Sequence, residues 1–221
     1  MWFDTEENAH WKPAIVHLRK DLVLRKLIDH VGPCTLRPRR NHFHKLVQSI
    51  LSQQVSVKAA ASMYLKLSKQ FPRKHVTPER LVEFLTSGDE ELIRSCGLSR
   101  QKKSYLLDLS QRFASGEIKH KRFSKMNDEE IVQALIGIKG IGRWTVEMLL
   151  IFGLNRTDIW PIDDLGIQVG VQKHFGLLAR PKPKEIATFA DAWRPYRSIA
   201  SWYLWRAPHE LPSDKKAAQT L

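Results

Sequence analysis

Two neighbouring carboxylates, Asp163 and Asp164, follow the apolar run Ile159-Trp160-Pro161-Ile162 and precede Leu165-Gly166-Ile167. A carboxylate set against apolar chain can serve as a general acid or base, or stabilise positive charge developing on a substrate. The commoner role of an acid at such a place is to cap a helix, here the one starting at Leu165. Upstream lies Gly137-Ile138-Lys139-Gly140-Ile141-Gly142, entered by the apolar residues Ile131, Leu135 and Ile136 and left by a helical run from Arg143 to Phe152. Glycines at this density let the backbone take positive φ and approach a ligand closely. The helix that leaves the turn presents unpartnered N–H groups and the positive end of its dipole, which favours an anion there. Helix, tight glycine turn, helix is the layout of a helix-hairpin-helix, a motif that grips one DNA phosphate through main-chain amides. The pattern therefore predicts a turn that holds a polyanion and an acid that does chemistry on it.

The composition agrees. The 221 residues carry 36 Lys and Arg against 23 Asp and Glu, a net charge of +13, which points to nucleic acid as partner. The hydrophobic fraction of 43% is ample for a core of one domain or two small interlocked ones. Two cysteines, Cys34 and Cys96, are too few for a disulfide framework or an iron–sulfur quartet and point to a reducing, intracellular compartment, cytoplasmic or nucleoid in a bacterium and nuclear in a eukaryote. The opening Met-Trp-Phe-Asp-Thr-Glu-Glu has no signal pattern, and no apolar run approaches the roughly 18 residues of a membrane span. His42 and His44 do not share a helical face and have no cysteine or carboxylate beside them, which argues against zinc.

The elements that must position these groups all read as helices. Residues 10–31 are apolar near helical spacing, with slippage, and stop at Gly32-Pro33; residues 35–42 form a basic linker. Residues 43–71 make two helices broken at Gln53-Gln54-Val55-Ser56, with Ser56 capping the second and the two glutamines at the tip. Thr77-Pro78 starts a helix to about Thr86, Asp89 caps another to Cys96, and a basic helix runs from Ser99 to Phe113. Asn127 or Asp128 caps the helix entering the hairpin. Residues 165–174 and the aromatic-rich 184–206 are helical, with Pro181-Lys182-Pro183 as a spacer, and the tail 211–221 is expected to fray. The chain is expected to be all-α, with about nine or ten helices, and monomeric, since no heptad or exposed apolar stripe asks otherwise.

The hairpin, Pro161-Ile162-Asp163-Asp164-Leu165, and Trp193-Arg194-Pro195-Tyr196-Arg197-Ser198 together resemble the helix-hairpin-helix DNA glycosylases, nearest the alkylpurine type, 3-methyladenine DNA glycosylase II. Ile50-Leu51-Ser52-Gln53-Gln54-Val55-Ser56 and the opening His17-Leu18 with Leu24, Leu27, Ile28 and Gly32-Pro33 extend the resemblance over residues 10–206. It implies a two-lobed helical fold with an active-site cleft between the lobes. One lobe would comprise residues 1–39 plus 131–210 and carry the catalytic acid; the other, residues 40–130, would carry the glutamines.

The resemblance makes Asp164 the catalytic carboxylate and leaves Asp163 as a cap or surface residue. Trp144, Met148, Leu165 and Trp205 would line the base pocket, with Met148 and Leu165 standing where some relatives carry tyrosine. Gln54 would fill the gap left by an extruded nucleotide, a place where many relatives use a bulkier apolar residue, with Gln53 beside it. Ser56, Gly137, Lys139, Gly140, Gly142, Arg143 and Thr145 complete the expected DNA-binding set. Bifunctional relatives carry a lysine where this chain has Trp144, which cannot form a Schiff base; a monofunctional enzyme leaving an abasic site is implied. No cofactor is required, although backbone carbonyls of Ile136, Ile138 and Ile141 would hold Na⁺ or K⁺ as in relatives. The substrate would be double-stranded DNA with an alkylated purine. The alternative is a glycosylase-like protein that binds abasic or distorted DNA with little turnover; a glycosylase for oxidised or mismatched bases is weakened by Trp144.

Overall fold

A computed structural model describes residues 10–38 and 41–207. Among the described residues the chain is helical, with no strand. The first residues, read for a signal, Arg39 and Arg40 of the basic linker, and the tail 211–221 lie outside the described residues. In chain order the helices are α1 (Lys12–Leu18), α2 (Leu22–Val31), α3 (His42–Ser52), α4 (Val57–Ser68), α5 (Pro78–Thr86), α6 (Glu90–Ser95), α7 (Arg100–Ala114), α8 (Asp128–Leu135), α9 (Arg143–Phe152), α10 (Leu165–His174), α11 (Pro183–Phe189) and α12 (Arg197–Arg206), with short 3-10 turns between some of them. No described helix is long and apolar enough to cross a membrane.

Two compact units result, residues 10–37 with 155–207 and residues 38–154. In the first, α12 is buried on nearly every side, from Ser198 to Leu204, and packs on α2 and α10. Leu24, Leu27 and Ile28 of α2 are fully buried, each contributing roughly 1.5–3 kcal/mol by leaving water. Gly170 lets α10 come close to α12, since a Cβ there would lie 3.3 Å from Leu204 Cβ. The run 10–31 is two helices and not one: Asp21 Oδ1 accepts from Val23 N and Leu24 N, and so starts α2 afresh. The slippage in the apolar spacing marks that break. The 184–206 run is likewise divided, by a 3-10 turn at Asp191–Trp193 and by Pro195, which has no N–H to continue a helix.

In the second unit α7 packs on α5 and α3, α3 on α4 and α9, and α8 on α9 through the glycine turn. Leu46, Ile50, Leu81, Leu106, Leu135 and Val146 are among its fully buried residues. The units divide between Leu154 and Asn155. The hairpin therefore falls with the Gln53–Gln54 tip, whereas the sequence-based boundary at 130/131 grouped it with Asp164. The reason is physical: Gln53 Nε2 donates to Gly140 O at 2.8 Å, and Lys139 N donates to Asp108 Oδ2 at 2.8 Å.

Candidate functional site

Asp164 is the N-cap of α10, with its backbone extended and its side chain accepting from Ile167 N at 2.8 Å. The cap reading and the chemical reading thus fall on one residue. Asp163 is exposed, while Asp164 is only 8% exposed. Its Oδ1 also accepts the indole N–H of Trp205 at 2.8 Å, from the last turn of α12. A negative charge here sits at the favourable end of the α10 dipole.

Gly166 makes this arrangement possible. A Cβ on it would lie 2.9 Å from Trp205 Cδ1 and 3.0 Å from Asp164 Oδ1. Only glycine lets the indole lie against the first turn of α10. Leu165 is exposed beside the acid, and Gln168 Nε2 fixes the incoming chain by donating to Ile162 O at 2.9 Å.

The Trp193–Ser198 motif explains why the preceding loop is held. Arg197 grips Asp158 through Nε at 2.7 Å and Nη2 at 3.0 Å, and Arg194 adds a contact at 2.9 Å. Ser198 N donates to Thr157 O, and Ser198 Oγ accepts from Ile159 N, both at 2.9 Å. Trp160 Nε1 donates to Ile186 O at 2.7 Å. The motif pins residues 157–159 and so the segment that delivers Asp164.

In the other unit, the hairpin and the tip border one open pocket of about 560 Å³. Of its three glycines only Gly140 is left-handed, with φ 78°. A Cβ there would stand 2.2 Å from Tyr105 Cδ2, so the turn lies directly on that ring. Gly142 caps α9 with extended backbone and no side-chain acceptor, so the helix starts directly from the turn. Lys139 is exposed. Arg143, expected to reach DNA, is held by Glu129 through both carboxylate oxygens at 2.8 Å. Thr145 is 4% exposed, so its side chain faces the core and not a DNA surface. Ser56 Oγ is the cap of α4, accepting from Ala59 N at 3.2 Å.

Gln54 is exposed and left-handed, with φ 57°, at the apex between α3 and α4. Trp144 lies in the first turn of α9, 42% exposed, with Met148 half-buried one turn on. Ile138 O already accepts Ile141 N at 3.0 Å; a carbonyl has two lone pairs, so one remains at Ile138. Sequence reasoning missed Tyr105, Asp108, Lys102 and Gly166. The first three recur at intervals of three along α7, which is the only trace they leave in the sequence.

Residues 47–195 match the family model of the HhH-GPD superfamily base excision DNA repair proteins. The chain is 34% identical over 212 residues to the alkylbase DNA glycosidase-like protein mag2 of Schizosaccharomyces pombe, covering 91% of this chain and 96% of that one. It is 35% identical over 187 residues to DNA-3-methyladenine glycosylase 1 of the same yeast, covering 82% and 78%. Among solved structures, S. pombe 3-methyladenine DNA glycosylase (Mag1) in complex with abasic DNA superposes with a TM-score of 0.76 at 34% identity, covering 87% of this chain and 95% of that one.

Proposed function

Because this chain belongs to the HhH-GPD superfamily of base excision DNA repair proteins, we propose that it is a monofunctional DNA glycosylase that excises alkylated purines of the 3-methyladenine and 7-methylguanine type. The observation that carries the reading is Asp164, a nearly buried carboxylate bonded to the indole of Trp205 at the start of α10. N3- and N7-methylation leaves the purine cationic, so it departs as a neutral base and the positive charge passes to the sugar. A carboxylate stabilises that oxocarbenium-like sugar and can orient the water that completes hydrolysis. The bond is shielded inside the duplex, so the nucleotide must leave the stack first; Gln54, exposed at its apex, is assigned to the gap it leaves.

The glycine turn and the N-terminus of α9 are assigned to one DNA phosphate. Ile136, Ile138 and Ile141 are among the residues that border the same pocket, and their backbone carbonyls are assigned to a cation. Neutral oxygens of this kind suit a hard alkali cation, and Na⁺ or K⁺ held there would add positive charge beside the phosphate. Trp205 and Leu165, beside the acid, are assigned to the base, whose positive charge an aromatic face attracts by about 0.5–2 kcal/mol. Trp144 and Met148 keep the base-contacting role that the family resemblance gives them. The protein is taken as a monomer.

The test is release of N3-methyladenine and N7-methylguanine from methylated duplex DNA by wild type and by Asp164→Asn. Loss of release in the variant, with duplex affinity kept, supports the reading; equal activity of the two removes Asp164 from the chemistry. A second reading, recognition of abasic or distorted DNA with little turnover, is motivated by Met148, Leu165 and Gln54, which depart from the family pattern. Tight binding to an abasic analogue without base release from any alkylated duplex would favour it.

A further inference from the structure

Lys102, Tyr105 and Asp108 occupy one face of α7, three residues apart. Each supports a different piece of the proposed DNA-contacting surface. Tyr105 lies under Gly140. Asp108 Oδ2 accepts the backbone N–H of Lys139. Lys102 Nζ reaches three carbonyls at the end of α3: Ile50 O at 3.3 Å, Leu51 O, and Gln53 O at 3.0 Å.

The Lys102 contact is the unusual one. An α-helix ends with carbonyls that lack partners, at the negative end of its dipole. An ammonium has three donors, and here three carbonyls receive them. A cation therefore closes α3 where a left-handed glycine would ordinarily do so. The residue in the left-handed region is instead Gln54, at φ 57°. That conformation is unfavourable for a residue with a side chain and persists only where neighbours impose it. Those neighbours are visible: Gln53 O is held by Lys102, Gln53 Nε2 by Gly140 O, and Ser56 starts α4 two residues later.

We propose that Lys102 is a positioning residue for base extrusion, clamping the end of α3 so that Gln54 is presented to DNA at a set distance from the glycine turn. This rests on the reading of Gln54 as the residue that enters the duplex. In a chain of net charge +13 the plain alternative is a lysine that binds phosphate. Its geometry argues otherwise, because its donors are spent on protein carbonyls. Burial at this place draws the ammonium below its ordinary pKa.

Salt dependence separates the two roles. A lysine that neutralises a phosphate contributes about one unit to the slope of log affinity against log salt; a positioning lysine contributes none. The experiment compares wild type with Lys102→Met on a duplex carrying 2-aminopurine beside an abasic analogue, and on methylated duplex at saturating enzyme. The expected result is an unchanged salt slope and undamaged-duplex affinity, with the 2-aminopurine signal and single-turnover base release reduced about tenfold or more, as for misplaced reacting groups. If Lys102→Met melts below the assay temperature, Lys102→Gln, which keeps two donors for the same carbonyls, should show a smaller loss of the same pattern.

A slope reduced by about one, with equal loss on damaged and undamaged DNA, would overturn the proposal in favour of phosphate binding. So would an unaltered 2-aminopurine signal in the variants, or no signal from wild type. If wild type extrudes but releases no base, the glycosylase reading fails alone, and Lys102 is judged on the fluorescence.

Discussion

Trp205 donates its indole N–H to Asp164 Oδ1 at 2.8 Å, and that same oxygen receives the backbone N–H of Ile167. One bond ties the acid to the helix it begins, and the other ties it to the last turn of α12. The carboxylate is thereby fixed between two elements whose packing is itself set by close approach at Gly166 and Gly170. A group meant to meet charge on a sugar at one place benefits from such fixing, because reorganisation is completed before the reaction.

The first prediction concerns the indole donor. Trp205→Phe keeps an aromatic ring and removes the N–H. A hydrogen bond to a charged acceptor contributes about 1.5–3 kcal/mol, so single-turnover base release should fall roughly tenfold to a hundredfold. Affinity for an undamaged duplex should not change, since the glycine turn is untouched. Release at the wild-type rate would show that Ile167 N and the helix N-terminus suffice to orient the acid.

The second concerns Gly166. Alanine there favours a helix by about 1 kcal/mol, yet its Cβ would meet the Trp205 ring at 2.9 Å. Overpacking of this kind costs about 1–3 kcal/mol. Gly166→Ala should therefore move the melting temperature only modestly while base release falls and Trp205 shifts off Asp164. The double variant Gly166→Ala with Trp205→Phe should lose less than the sum of the two, because both act on one hydrogen bond.

What the sequence made legible was local. Ser56, Thr77 and Asn127 cap the helices expected of them, each accepting an N–H three residues on. The glycine turn and the Asp163–Asp164 pair stood out for the same reason, since their types and spacing lie within one short stretch; the choice between the two acids came from the family resemblance. Contacts reaching far along the chain left no such mark. Gln53 meets Gly140 across 87 positions, and Lys102 was readable only as one more charge on a basic helix. Thr145 was grouped with the DNA contacts by its place after the turn, but helix geometry aims its side chain inward. Arg143 was expected among the DNA contacts, and its guanidinium is paired with Glu129 on the preceding helix. The Trp193–Ser198 motif pointed to the right family without disclosing that its arginines serve Asp158.

The third prediction separates backbone strain from contact at the hairpin. Gly140→Ala places a Cβ at φ 78° and into the Tyr105 ring. The first effect costs roughly 1–2 kcal/mol and the second about 1–3 kcal/mol. Chemical denaturation should show both losses in Gly140→Ala and only the first in Gly140→Ala with Tyr105→Ala, measured against Tyr105→Ala alone. Duplex affinity should fall in both, because the turn that presents the amides is distorted either way. Equal losses in the two backgrounds would mean that the ring moves aside freely.

The last prediction follows from two buried acids of the first unit. Cys34 is 1% exposed, and burial pushes its thiol from 9.0 up to about 11, although a hydrogen bond with the Leu36 backbone and the charges of Arg206 and Arg37 act the other way. Tyr203, whose hydroxyl donates to Gly32 O at 3.0 Å, is also raised by burial. Both groups are neutral at pH 8 in the folded and unfolded chain, so their contribution is fully present there. As the pH climbs past 9.0, the unfolded thiol ionises and binds fewer protons than the folded one, and stability declines until about pH 11. Denaturation midpoints should therefore fall between pH 9 and 11, less steeply in Cys34→Ala, with Tyr203 sustaining the remaining decline once an unfolded tyrosine ionises near about pH 10. The native thiol should also resist a disulfide reagent at pH 8 and react once denaturant is added, since the thiolate is the reactive form. An identical alkaline slope in wild type and Cys34→Ala would place the pH sensitivity elsewhere in the chain.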